Sequence, residues 1–249
     1  MKRKAFLIAS PQEETSKEYL PGVTPDIINM KAILKSLKGG AWDDSEIEVL
    51  KNPTRSEILS KIKGSYDYVI IQYSGHGFEY SNQGTQLYLS KTESIGLDEI
   101  NKNFTSPKKF YFIDCCRHVE YTIEKAVESS LIENIIEFSN NKRRIIRNRY
   151  ERIINSCEDG ISIIYSCSKN ESADEDENGL GGIFTLSFIR IANSLIPDEN
   201  QYYDIKAIFD SAVVKMKKDY GLSSQNPRIN SQRRLRYFPL IINTEVHNV

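Results

Sequence analysis

Apolar residues fall along this chain in two alternating rhythms: short dense runs, and longer stretches with helical spacing. The runs are Lys4–Ala9, Glu46–Leu50, which alternates, Tyr66–Tyr73 (YDYVIIQY), Lys109–Ile113 and Ile161–Ser166 (ISIIYS). The last three are rich in β-branched and aromatic residues, as strands buried on both faces require. Between them, Ile27, Met30, Ile33, Leu34 and Leu37 make a helical stripe over Asp26–Leu37, with Pro25 ahead of it and Gly39-Gly40 closing it. Thr54 with Glu57 forms a capping-box pattern for a helix that ends at Gly64. Leu97–Asn101, Gly182–Ser194 and Tyr203–Asp219 read as further helices, and a small hairpin is expected around Gln86–Ser90. Arg236–Ile242 (RYFPLII) reads as a last strand, which Pro239 places at an edge. Strands separated by helices predict one α/β domain over residues 1–249, with a mostly parallel central sheet and helices on both faces.

One stretch departs from this order. Residues 119–156 lie between two core strands and read as an inserted helical linker. Ile123, Val127, Leu131, Ile135 and Phe138 are spaced helically, Asn140-Asn141 interrupts them, and the basic segment KRRIIRNRYERII follows. Over the whole chain charge is balanced, with 33 basic and 34 acidic residues, so no global field draws it to nucleic acid or to a membrane surface. No apolar run approaches the roughly 20 residues of a membrane span, and Ala5–Ala9 is too short for a secretory leader's apolar core. Cys115 and Cys116 are adjacent while Cys157 and Cys167 stand apart, without a CxxC pair. Free thiols in a reducing cytoplasm are expected rather than a zinc site or a disulfide framework.

Two of the core runs end in reactive chemistry. Tyr66–Tyr73 leads into SGHGF, which sets His76 between Gly75 and Gly77; Lys109–Ile113 leads into DCCRH. Ligands and reactive groups collect beyond the carboxyl ends of parallel strands. Neighbouring parallel strands would therefore bring an imidazole and a thiol to one cleft. An imidazole can take a thiol's proton and later return it to a leaving amine. Glycines flanking His76 leave room for a substrate chain. The N–H of Gly77 and that of the reacting cysteine could point at one oxyanion. Side-chain alternation does not fix the register past the strand's end, so Cys115 and Cys116 both stand as nucleophile candidates.

YSGHG followed by DCCR resembles the caspase and metacaspase superfamily of cysteine peptidases. Forty residues separate His76 from Cys116, against about 50 in caspases. YSCSKNESADEDENGLGGIFTLSFI, residues 165–189, is similar to the family's strand, polar loop and GG-x-FT helix start. The resemblance implies a caspase-like three-layer sandwich of a bacterial stand-alone type, in a setting of defence or cell death. It implies Cys116 as nucleophile, His76 as general base and acid, the amides of Gly77 and Cys116 as oxyanion hole, and Cys115 as a small buried residue. His118 and Val119 stand where the family has small residues. His118 is a rival base that side-chain direction turns away from Cys116, and His247 is expected to be idle.

The resemblance also implies how specificity is set. Metacaspases bind Arg or Lys through acids, one just ahead of the nucleophile; here that is Asp114. In the acidic loop, Asp174 and Glu175 are the expected pocket residues, while Asp176 and Glu177 are read as a solvated loop tip. A carboxylate meets a guanidinium at two points, so cleavage after Arg, then Lys, is expected. A basic-specific enzyme could cut itself in the 142–152 segment, at Arg143, Arg144, Arg147 or Arg149. No cofactor is required. Some metacaspases use calcium, for which Asp43-Asp44 and the 174–177 run are candidates by charge alone. Expected partners are a protein substrate with a basic cleavage site and a regulatory protein. The competing reading is a catalytically silent caspase-like binding or scaffold domain.

Overall fold

In the computed structural model the described residues are 1–80, 84–117, 140–199, 201–221, 224–232 and 235–245. Six strands form the central sheet: β1 (Arg3–Ser10), β2 (Ile47–Lys51), β3 (Tyr68–Gly75), β4 (Lys108–Asp114), β5 (Gly160–Tyr165) and β6 (Arg228–Ser231). Their order is β6-β5-β4-β3-β1-β2, and every pairing is parallel except that of β5 with the antiparallel edge strand β6.

Alternation along the strands divides the interior into two cores. Ala5, Leu7, Tyr68, Ile70, Phe110 and Phe112 face one side. There they meet α1 (Val23–Lys35), the buried residues of α4 (Asn140–Ser156), α5 (Ile183–Ser194) and α6 (Ile205–Tyr220). Phe6, Ile8, Val69, Ile71, Tyr111 and Ile113 face the other side, against α2 (Arg55–Lys61), α3 (Leu97–Lys102) and a three-stranded meander. The meander runs Gly77–Tyr80, Gly84–Ser90, Glu93–Gly96 and springs directly from the tip of β3. This is the expected three-layer sandwich.

Two chain segments depart from expectation. RINS, residues 228–231, is the sixth strand although it carries no apolar signal; its residues are exposed or half-buried at the edge. Conversely, Pro239–Ile242 does not edge the main sheet. It pairs antiparallel with Tyr202–Asp204 in a separate ribbon and is wholly buried, because α4 covers it and Tyr150 donates to the Pro239 carbonyl (2.9 Å). Asp204, expected inside a helix, caps α6 by accepting from the N–H groups of Lys206 and Ala207.

The basic segment folds as α4 and is tied to the body. Ile146, Tyr150 and Ile154 are buried. Arg143 donates to the carbonyls of Ala41 and Trp42 and pairs with Asp43. Arg147 pairs with Asp43, Glu46 and Glu151, and Arg149 donates to Asn243. Gly40 allows this close docking: its φ is +101°, and a Cβ there would lie 2.7 Å from the Tyr150 ring. The part of the linker before residue 140 lies outside the described residues.

Candidate active site

The pairing of β3 with β4 sets Ser74 opposite Asp114, so both strands end at the same level. The next residues of each chain therefore emerge side by side. Alternation carries one step past β4: Ile113 and Cys115 belong to the meander-side core, whereas Phe110 and Phe112 face the α1 and α5 side. Asp114 follows that second set, since Thr185 of α5 donates to its carboxylate. Cys115 is 1 % exposed. A Cβ on Gly77 would come within 2.5 Å of its sulfur, so the glycine and the buried thiol fill one space. Burial pushes the Cys115 thiol far up and so disfavours its thiolate.

Cys116 is half-buried beneath the loop that follows β5. Its sulfur accepts from the Ala173 N–H at 3.4 Å and lies 3.7 Å from the Ala173 carbonyl. Burial pushes this thiol up as well, helped by the charges of Asp114 and Asp174, against the Ala173 N–H. In this arrangement burial disfavours the Cys116 thiolate.

His76 is anchored by a group that sequence patterns did not suggest. Its Nε2 lies 2.7 Å from the carbonyl oxygen of Glu18, in the loop after β1. A carbonyl only accepts, so the neutral ring holds its proton on Nε2 and leaves the Nδ1 lone pair open. The His76 carbonyl is fixed in turn: it accepts from the Tyr88 N–H at 3.0 Å and lies 2.6 Å from the Tyr73 hydroxyl. Because of that Tyr88 bond, the Gly77–Leu87 rung is a non-hydrogen-bonded one, and the Gly77 N–H points away from the meander.

Beside the nucleophile turn, three carboxylates converge. Asp26, at the start of α1, is 1 % exposed and accepts from the Ser74 hydroxyl (2.6 Å) and the Gly182 N–H (3.0 Å). Asp114 is 5 % exposed. Glu175 accepts from the Gly22 N–H at 3.0 Å. Burial raises all three; Asp114 adds to the rise at both Asp26 and Glu175, and Glu175 is pushed up to about 7. Among the described residues none of the three pairs with a Lys or Arg. The glycine pair makes the space: a Cβ on Gly181 would lie 2.6 Å from Asp26 Oδ1, and one on Gly182 would collide with the Asp114 carboxylate. Gly181, Gly182 and Thr185 thus all pack against one acidic cluster.

The other expected site residues are distributed differently. Asp174 is exposed, while its neighbour Glu175 joins the pocket. Asp176, expected at a solvated tip, is buried and accepts from Tyr220 at 2.8 Å; Glu177 is exposed. Asp43 is engaged by Arg143 and Arg147, and Asp44 by Lys35. Among the described residues no group of three or more His, Cys, Asp or Glu is arranged to hold a metal ion. Among the same residues no helix is long and apolar enough to cross a membrane. Arg143, Arg144, Arg147 and Arg149 all lie within α4. His118, Val119 and His247 lie outside the described residues. Asp26 and Glu18 were not suggested by the sequence: one is a helix-start acid beside Pro25, and the other acts through its backbone.

A thiol and an imidazole at neighbouring strand tips, with an acidic cluster beside them, are the groups a cysteine hydrolase uses, and comparison with known proteins gives the family. Residues 2–239 match the caspase domain of the C14 peptidases. The chain belongs to this family and is a caspase-like cysteine endopeptidase. Its fold is similar to that of caspase-1 from Spodoptera frugiperda, with a TM-score of 0.56 at 16% identity over 92% of this chain and 85% of that one. Among curated proteins none matches.

The pocket carboxylates permit a stability test. An acid whose folded pKa is raised loses stability as pH climbs from its unfolded value, near 3.8 for Asp, through the folded one. Asp26→Asn removes that cost. The variant should therefore be more stable than wild type in urea unfolding at pH 8, with the gain shrinking on acidification. A variant that is less stable at pH 8 would show Asp26 to be structural.

Proposed function

We propose that the protein cleaves polypeptides after arginine, and secondarily lysine, by a Cys116–His76 dyad. The side chain before the cut enters among Asp26, Asp114 and Glu175. Asp174 lies at the rim. A guanidinium satisfies several carboxylate oxygens at once, which an ammonium cannot do as fully. Entry of that cation also relieves the mutual repulsion of the three acids. The observation that carries the reading is this cluster of two buried carboxylates, Asp26 and Asp114, and the half-buried Glu175 beside the Cys115–Cys116 turn, with no Lys or Arg paired to them among the described residues.

The chemistry needs only the chain's own groups. Nδ1 of His76 takes the Cys116 proton while the Glu18 carbonyl steadies the resulting imidazolium through Nε2. The thiolate attacks the peptide carbonyl, and the N–H groups of Gly77 and Cys116 hold the oxyanion. The imidazolium protonates the leaving amine, and water, deprotonated by the same ring, hydrolyses the thioester. For the attack to begin, the 172–174 segment must move off the Cys116 sulfur. Substrate entry or a regulatory partner would drive that step.

Self-processing in the 142–152 segment would require α4 to unwind, since a peptidase needs an extended strand. Of the four candidate bonds, the one after Arg144 is the best placed. Among the described residues its side chain bonds to Asn141 of the same helix, whereas Arg143, Arg147 and Arg149 grip other parts of the fold.

Two measurements test the reading. A positional peptide library should yield cleavage after Arg and Lys with wild-type protein, with no turnover by Cys116→Ala; retained turnover would reassign the nucleophile. The second is a pH profile. Glu175, pushed up to about 7 in the empty pocket, is neutral below that pH and charged above it. kcat/KM for an arginyl substrate should rise through neutrality in wild type and rise less in Glu175→Gln. Identical profiles would remove Glu175 from the pocket.

A further inference from the structure

Immediately below the two strand tips lies an ion pair that the mechanism above does not use. Arg117 follows the nucleophile, and Glu79 stands two residues after Gly77 on the first meander strand. They are 4 % and 6 % exposed. The Arg117 Nη2 and Nε donate to Glu79 Oε2 at 3.0 and 3.3 Å. Its Nη1 donates to the Cys167 carbonyl at 3.4 Å, and the guanidinium lies 4.0 Å from the centre of the Tyr165 ring. Glu79 also accepts from the Thr85 hydroxyl at 2.7 Å and pairs with Lys169 at 2.6 Å. The Arg117 backbone is fixed at both ends: its N–H donates to Glu171 and its carbonyl accepts from Asn170, each at 3.0 Å.

We propose that Glu79 and Arg117 are positioning residues that set the separation and aim of the Gly77 and Cys116 N–H groups. This rests on the peptidase reading. The two amides come from different elements. One belongs to the meander, which continues from β3 through His76 and packs on the sheet through Leu87, Leu89 and Ile95; the other belongs to the turn after β4. Apolar packing holds these elements together without fixing the rotation of one against the other. The Glu79–Arg117 pair adds a directional bond between them, one residue past Cys116 and two past Gly77. An ion pair buried this deeply is costly to form and gives little net stability. Its return here is a fixed geometry, to which acyl transfer is sensitive at the ångström scale.

The consequence separates two reactions of the same sulfur. Peptide hydrolysis needs the oxyanion donors, whereas alkylation by iodoacetamide needs only the thiolate. The test compares Glu79→Gln and Arg117→Lys with wild type. The first keeps the shape of Glu79 without its charge; the second keeps charge but loses the fork that reaches both Glu79 and Cys167. kcat for an arginyl peptide should fall by about 100-fold, the scale of losing one oxyanion donor. KM should stay within about threefold and the iodoacetamide rate at Cys116 within about threefold, on the premise that the acidic pocket and the thiol are untouched. Unchanged kcat in folded variants would overturn the role. So would kcat and alkylation falling together, which would mark a general collapse of the turn. Should Glu79→Gln fail to fold, Arg117→Lys decides alone by the same split, and failure of both to fold would make the pair structural and overturn the proposal. A wild-type protein that alkylates but cleaves no basic peptide would instead sink the peptidase reading.

Discussion

The parallel pairing of β3 with β4, with Ser74 level with Asp114, is the constraint on which the site depends. Parallel strands point the same way and end on the same rim, so whatever follows each strand must meet there. One tip continues into His76 and the meander, the other into Cys115 and Cys116. A one-residue slip would invert the roles. Cys116 would turn into the meander core and Cys115 to the cleft, because side chains alternate with a period of two. The fit of the Cys115 sulfur against Gly77 resists that slip.

The acidic pocket is a different kind of device. Three carboxylates from separate parts of the chain, the start of α1, the tip of β4 and the loop after β5, are brought into a shared low-dielectric space. Their burial opposes ionisation, and each resists the charge of the next. The hydroxyls of Ser74 and Thr185 and the N–H groups of Gly22 and Gly182 offset part of this cost. On the proposed reading, the cost that remains is what an entering cation relieves.

Much of this could be read from the sequence, and the exceptions have physical causes. Apolar runs announced four of the six core strands, because burial on both faces demands such residues, and alternation announced the edge strand β2, which is only partly buried. RINS was silent because an edge strand bonded on one side needs no apolar side chains. Arg236–Ile242 was recognised as a strand, yet its partner, Tyr202–Asp204, is too short to show a period. Asp114 and Glu175 stood beside motif residues and were legible by position. Asp26 was not, since a helix-start acid ordinarily reads as a capping or solvated group. Glu18 acts on His76 through a carbonyl oxygen, which every residue has, so no side-chain pattern can mark it. The basic segment 142–152 was legible as a run of candidate cleavage points; that Arg143, Arg147 and Arg149 also grip Asp43, Glu46 and Asn243 was not, because those partners are distant in sequence.

The most direct measurement is a crystal structure of the protein with a peptidyl-arginine aldehyde, which adds reversibly to a catalytic thiol. The account predicts a single bond from the Cys116 sulfur to the aldehyde carbon, with the new oxygen against the Gly77 and Cys116 N–H groups. It predicts Nδ1 of His76 within hydrogen-bond reach of the adduct, about 3 Å away, and the guanidinium among Asp26, Asp114 and Glu175. An adduct on Cys115, or an imidazole turned away from the sulfur with the aldehyde bound, would contradict it.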